Sequence, residues 1–252
     1  VRVWSEASGL RTLDQLRLTL PPTVSDPATS SLPVLSPDGS HILFISPSAI
    51  PEAGVAEAGR DQLYCRVLAT GQTRLLSNDG SFPGPVFSAD GSRIAFQMQE
   101  PVVTPGDANG TFDVLAVTLP SYERQLVSTA SSTANRRTAT GNSLSATGIS
   151  DDGRFAVFTS AAPDLVAGGG GNVYSGFVFD QSSGTNRHVG QTPDGTAFNR
   201  SVLTLQLARG GRQVVFVSDE AFLTPGDTNT LNDVFVQDLE TRALTLASAR
   251  DQ

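Results

Sequence analysis

The chain has 252 residues, with 17 basic side chains (all of them Arg) against 25 acidic ones, and a formal net charge of −8. That balance excludes a protein that holds nucleic acid through non-specific phosphate contacts, and no apolar run approaches the roughly 18 residues of a membrane-spanning helix. One cysteine (Cys65) and two histidines (His41, His188) exclude an internal disulfide framework, CxxC zinc sites and multi-histidine catalysis.

In chain order, residues 1–4 and 15–20 alternate as the last two strands of an incomplete unit, and residues 21–31 form a Pro/Ser/Thr linker. From residue 32 the chain repeats. Four eleven-residue segments align without gaps, starting at Ser36, Ser88, Ser150 and Ala208. The first three carry Asp-Gly at the third and fourth places (Asp38-Gly39, Asp90-Gly91, Asp152-Gly153) and the last carries Gly210-Gly211. In each, a Phe follows the second of these residues by five places: Phe44, Phe96, Phe158 and Phe216, at spacings of 52, 62 and 58. Asp-Gly between apolar runs predicts a hairpin closed by a tight primed turn. The apolar side chains that follow at every second place predict a strand with one buried face.

Each unit continues into a third strand, at 63–67, 112–117, 176–179 and 234–236, and a fourth, at 73–77, 124–128, 187–189 and 244–248. Turn-forming residues separate them. Residues 129–147, dense in Ser, Thr, Ala and Asn, read as a long connecting loop whose Arg136-Arg137 pair is solvated. Four short strands per repeat of roughly 50 residues predict an all-β chain, a β-propeller. Four four-stranded blades are recognisable, at about 32–80, 84–130, 140–190 and 198–250, with a partial N-terminal blade over 1–31 that makes five blade positions.

Ser36–Phe44, Ser88–Phe96 and Ser150–Phe158 resemble the TolB-like (WD-like) bacterial β-propeller repeat family, whose units read Ser-Pro-Asp-Gly and then an Ile-Ala-Phe strand. The stretch Asp233–Arg242 is similar to that family's third strand and exit turn, while the fourth copy departs by losing both Ser and Asp. The resemblance implies a non-catalytic binding scaffold, with a protein or cell-envelope polymer as partner, in a periplasmic or secreted bacterial setting. Related propellers are also accessory domains of larger enzymes. The resemblance is specific for fold and says little of function.

The sharpest chemical signal is a loop shared by the second and fourth units. Asp, Asn and Asp recur at its first, third and seventh places: Asp107, Asn109 and Asp113, then Asp227, Asn229 and Asp233. Alternating oxygen ligands in a tight loop suit Ca²⁺, and the same residues suit Asx-turns bonded to their own backbone. The third unit has Gly169, Gly171 and Ser175 at these places, and the first keeps only Asp61. A carbohydrate-active propeller, glycosidase or lyase, is the alternative class and needs two carboxylates flanking one bond. Asp151, Asp164, Asp219 and Glu220 are candidates that nothing in the sequence sets apart from surface charge. Without a Gly-x-Ser-x-Gly elbow, nucleophilic catalysis finds no support. Cys65, His41 and His188 read as structural, and Gly168–Gly171 as a linker.

Overall fold

The computed structural model describes residues 2–5, 9–12, 31–48, 50, 53, 59, 61–78, 84–99, 110–131, 139–167, 174–191, 202–220 and 223–249. Among them strands alternate with tight turns, and no helix is long and apolar enough to cross a membrane. The chain divides into two compact units, residues 1–81 and 82–252.

The first unit begins with β1 (Arg2–Ser5) and β2 (Gly9–Thr12), an antiparallel pair with Trp4 opposite Leu10. The partner of the first strand is thus the segment just downstream. Residues 15–20, expected in that place, lie outside the described residues. A short connection costs less closure entropy than a longer one. The same unit holds a meander of β3 (Ser31–Leu35), β4 (His41–Ser46), β5 (Gln62–Val67) and β6 (Thr73–Ser77).

Three further meanders make up the second unit. They are β7 (Val86–Phe87), β8 (Arg93–Met98), β9 (Asp113–Thr118) and β10 (Glu123–Leu126); β11 (Ser143–Ile149), β12 (Phe155–Ser160), β13 (Ser175–Asp180) and β14 (Thr185–His188); and β15 (Val202–Leu207), β16 (Gln213–Ser218), β17 (Asp233–Asp238) and β18 (Leu244–Leu246). Every sheet is antiparallel and runs in chain order. Strand β11 corrects one expectation, because it occupies the second part of the stretch 129–147 that composition assigns to a loop. Small residues serve close approach there. A Cβ on Gly148 would lie 3.1 Å from Cβ of Leu207 in the next sheet.

The repeated Phe occupies one place in all four sheets. Phe44 faces Tyr64, Phe96 faces Leu115, Phe158 faces Phe177 and Phe216 faces Phe235 across strands two and three. All four are buried, and the three aromatic pairs stack with centroids 5.5, 5.6 and 5.5 Å apart. Period-2 alternation then splits the third sheet between two cores. Ala156, Phe158, Phe177 and Phe179 pack with Ala95, Val114 and Ala116 of the preceding sheet. Val157 and Val178, on the opposite face, pack with Leu205, Phe216 and Phe235 of the following one. The third sheet is therefore stacked face to face between the second and the fourth, burying both its surfaces.

The turn between strands one and two explains the Ser-x-Asp-Gly sequence. Ser150 Oγ donates to Asp152 Oδ1 at 2.6 Å while accepting from Phe155 N–H at 2.8 Å, and Asp152 Oδ1 also accepts from Arg154 N–H at 3.0 Å. The same clip joins Ser36, Asp38 and His41, and Ser88, Asp90 and Arg93. These serines are fully buried, so each hydroxyl needs both partners. Hydrogen bonds from Ser36 and Ser150, respectively, hold the Asp38 and Asp152 carboxyls below the ordinary range. In these three copies only the Gly takes a positive φ, at 70°, 71° and 70°, and the loop has four residues. The hairpin is as expected, but its turn is not the two-residue primed type; the Ser–Asp clip sustains the wider loop. The fourth copy has no such side chains and closes with two positive-φ glycines, Gly210 and Gly211.

Candidate functional site

The residue after the turn glycine is Ser40 or Ser92 in the first two repeats and Arg154 or Arg212 in the last two. The last residue of strand three changes in step, from Val67 and Thr118 to Asp180 and Asp238. Sheet geometry brings these two places together. Arg154 grips Asp180 in a bidentate fork, Nε to Oδ1 at 3.0 Å and an outer nitrogen to Oδ2 at 2.8 Å. Arg212 Nε reaches Asp238 Oδ2 at 2.7 Å, with Glu240 at 4.0 Å. Each aspartate also caps the turn that follows it, accepting from Ser182 N–H at 2.9 Å or Thr241 N–H at 2.8 Å. Arg154 accordingly holds the Asp180 carboxyl below the usual range. Exposed pairs of this kind contribute little stability, so their consequence is orientation.

Between the third and fourth sheets, at this turn-bearing end, lies an open cleft of about 460 Å³. Its walls include both arginines, Asp180, Glu240, Phe155 and Arg187. The guanidinium carbons of Arg154 and Arg187 lie 4.6 and 5.7 Å from the Phe155 ring centre, within cation–π range. The adjoining turns are locked together. Asp90 N–H donates to Asp151 O at 3.1 Å, and Gly211 sits where a Cβ would lie 2.5 Å from Cβ of Ser150. The Arg–Asp pairs and the cleft are not among the sequence candidates, although comparing the four repeats place by place shows Arg and Asp appearing together.

The carboxylate loops fall in two parts. Asp107 and Asn109 lie outside the described residues. Asp113 is buried at the start of β9 and accepts from Ser128 Oγ at 2.7 Å. Asp233 mirrors it, accepting from Ser248 Oγ at 2.5 Å. Asp227 is buried and accepts from Asn229 N–H at 3.2 Å, while Asn229 Oδ1 accepts from Leu231 N–H at 2.6 Å and its amide donates to Asp233 Oδ2 at 3.2 Å. The structure thus brings Asp227, Asn229 and Asp233 together in an Asx network, and a calcium ion there would share oxygens already turned to backbone N–H groups. If hydrogen bonds alone close this loop, a chelator should leave the thermal midpoint unchanged; a drop of several degrees would show ions bound to the folded state.

Of the carboxylates weighed for glycoside chemistry, Asp164 anchors a connection, accepting from Thr140 N–H at 2.8 Å and from its hydroxyl at 3.1 Å. Asp151 contributes its carbonyl to the turn-to-turn bond above. Cys65 is a buried free thiol in β5, and His41 Nδ1 pairs with Ser40 Oγ at 2.6 Å. His188 ends β14 buried, with its ring 4.6 Å from that of Phe177. Its Nε2 is sealed from solvent without a hydrogen-bond partner among the described residues, beside a small gap that Arg187, Gln191, Gln237, Asp238 and Arg242 help to line. Burial pushes its pKa below the ordinary value of about 6.5. Below that value the unfolded chain takes up a proton that the folded chain refuses, so stability falls as pH falls. Thermal midpoints measured from neutral pH down to about pH 5 should drop more steeply for the parent protein than for His188→Gln; parallel slopes would contradict this.

No protein-family model matches the chain, and no curated protein matches it in sequence. Solved structures do. A prolyl endopeptidase is similar over 89% of this chain and 29% of its own, at 14% identity and a TM-score of 0.51. The β-propeller domain of the Trilobed protease from Pyrococcus furiosus is similar over 88% of this chain and 58% of its own, at 13% identity and a TM-score of 0.49. TolB from Acinetobacter baumannii aligns over 100% of this chain and 49% of its own, at 17% identity and a TM-score of 0.48. The fold is that of a β-propeller. Four four-stranded sheets, one to each repeat, fit that fold. The chain spans 29% to 58% of the lengths of these similar structures.

Proposed function

We propose that the chain is a non-catalytic binding domain whose partner is a protein or a cell-envelope polymer, in an extracytoplasmic bacterial setting. One observation carries the reading. The turns of three successive sheets in the second unit are joined by the Asp90–Asp151 hydrogen bond and the Gly211–Ser150 contact, which makes one rigid polar surface from loops of separate repeats. Rigid loops on a sheet scaffold suit recognition, because little conformational entropy remains to be lost on binding. The cleft's Asp180 is held ionised by Arg154, which suits a binding group more than a general acid, whose pKa must be raised. The extracytoplasmic setting draws its support from the repeat's resemblance alone.

Affinity capture from bacterial envelope extracts tests the proposal when the parent is compared with an Ala89→Arg/Gln213→Arg double variant. Both residues are exposed at these turns. Recovery of the partner should fall at least about tenfold in the variant, the scale of losing one central contact. Equal recovery, or turnover of a captured polymer by the purified domain, would overturn it.

A further inference from the structure

We propose that the cleft between the third and fourth sheets is a binding site for a single carboxylate group, received by Arg187. This deepens the binding reading by naming the chemistry of one part of the surface, and it rests on that reading. The three arginines of the cleft are not equivalent. Arg154 and Arg212 already hold carboxylates of the chain itself, Asp180 and Asp238. The Arg187 side chain is partly buried and makes no hydrogen bond or ion pair with any described residue. Its Nε is sealed from solvent without an acceptor, and the residue lines the cleft.

A desolvated guanidinium without an acceptor is costly to keep. Its surroundings add to that cost. Arg154 and Arg242 oppose the charge of Arg187, and the carboxylate that favours it, Asp180, is already taken in both oxygens by Arg154. An incoming carboxylate would supply the missing charge and accept from the two terminal nitrogens, a planar match that guanidinium and carboxylate share. Charge selects the ligand's valence. With Arg154 paired to Asp180 and Arg212 to Asp238, Arg187 is the cleft guanidinium left without a carboxylate among the described residues, and Glu240 adds a negative charge to the wall. One unpartnered guanidinium matches a monoanion, whereas a phosphate dianion would bring a second negative charge into a cleft that Glu240 also lines. A cleft of about 460 Å³ admits a ligand the size of a sugar acid or a short peptide end.

Calorimetric titration at low ionic strength decides the matter, with glucuronate and N-acetylglycine as the two carboxylate sources. Glucose and N-acetylglycinamide are the neutral counterparts, and inorganic phosphate is the dianion. At least one carboxylate should bind with an affinity of roughly millimolar or better, with its neutral counterpart at least about tenfold weaker and phosphate weaker than the carboxylate. Which of the two binds identifies the source. Arg187→Gln should abolish the heat of binding while leaving the thermal midpoint equal to or above that of the parent, because it removes an uncompensated charge. An arginine that merely held the structure together would lower the midpoint. No binding of either carboxylate at about 10 mM, equal binding by neutral probes, tighter binding by phosphate, or unchanged affinity in Arg187→Gln would each overturn the proposal. A partner captured through the turn surface and not displaced by carboxylates would leave the binding reading standing and remove only this inference.

Discussion

Phe158→Ala should destabilise the protein by about 3–5 kcal/mol, read as a lower urea midpoint at unchanged slope. The ring has 0% exposure, lies 5.6 Å from Phe177 in a stacked pair, and fills the core shared by the second and third sheets. Truncation removes the transfer free energy of a large apolar group and the pair interaction, worth about 0.5–1.5 kcal/mol on its own, and leaves a cavity that the flanking sheets can close only in part. Phe158→Leu keeps most of the volume and should cost distinctly less. Because Phe216 is stacked in the same way on Phe235 in the next sheet, Phe216→Ala should fall within the same range. A loss below about 1 kcal/mol at either place would mean that the ring is not a core element.

Gly211→Ala comes next in size, at about 2–4 kcal/mol, the sum of a backbone and a packing contribution. Its φ of 70° is left-handed, a conformation that costs an L-residue roughly 1–2 kcal/mol. The added methyl would also lie 2.5 Å from Cβ of Ser150 and 3.0 Å from the Phe155 ring, so the fourth repeat's turn would be pushed off the third's. Gly184 separates the two contributions. Its φ is 66°, yet nothing lies within 4 Å of the Cβ that alanine would add, so Gly184→Ala should cost only the backbone part. Urea denaturation of both variants measures the difference, which is the packing between adjacent turns. Equal losses would show that the turns do not touch.

Much of this architecture can be read from local chemistry. Asp-Gly turns followed by residues such as Ile42 and Phe44 announce a hairpin with one buried face, and four copies at one offset announce a repeated sheet. Reading fails where the physics is not local. Strand β11 is rich in Ser, Thr, Ala and Gly, a composition that favours loops, yet it pairs with β12, and its small residues let Gly148 lie close against Leu207 of the following sheet. The form of the turn depends on a serine five residues from its backbone partner, as Ser150 is from Phe155, which dipeptide signals do not capture.

The candidate site is legible only in part. Arg154 with Asp180 and Arg212 with Asp238 emerge when the repeats are compared with one another, since both members change together between the second and third copies. Nothing near Arg187 in the chain says that it has no acceptor, because that depends on where Arg154 directs its own fork and on how Phe155 is placed between sheets. The loop residues Asp227, Asn229 and Asp233 stand out by spacing alone. Their hydrogen-bonded arrangement is visible only once the backbone N–H groups of Asn229 and Leu231 are placed.

A crystal structure of the chain is the most direct test of the repeated sheet. It should show Phe44 opposite Tyr64, Phe96 opposite Leu115, Phe158 opposite Phe177 and Phe216 opposite Phe235, each buried at the same place of an antiparallel four-stranded sheet. Four phenylalanines in dissimilar surroundings, or strands paired out of this register, would contradict it.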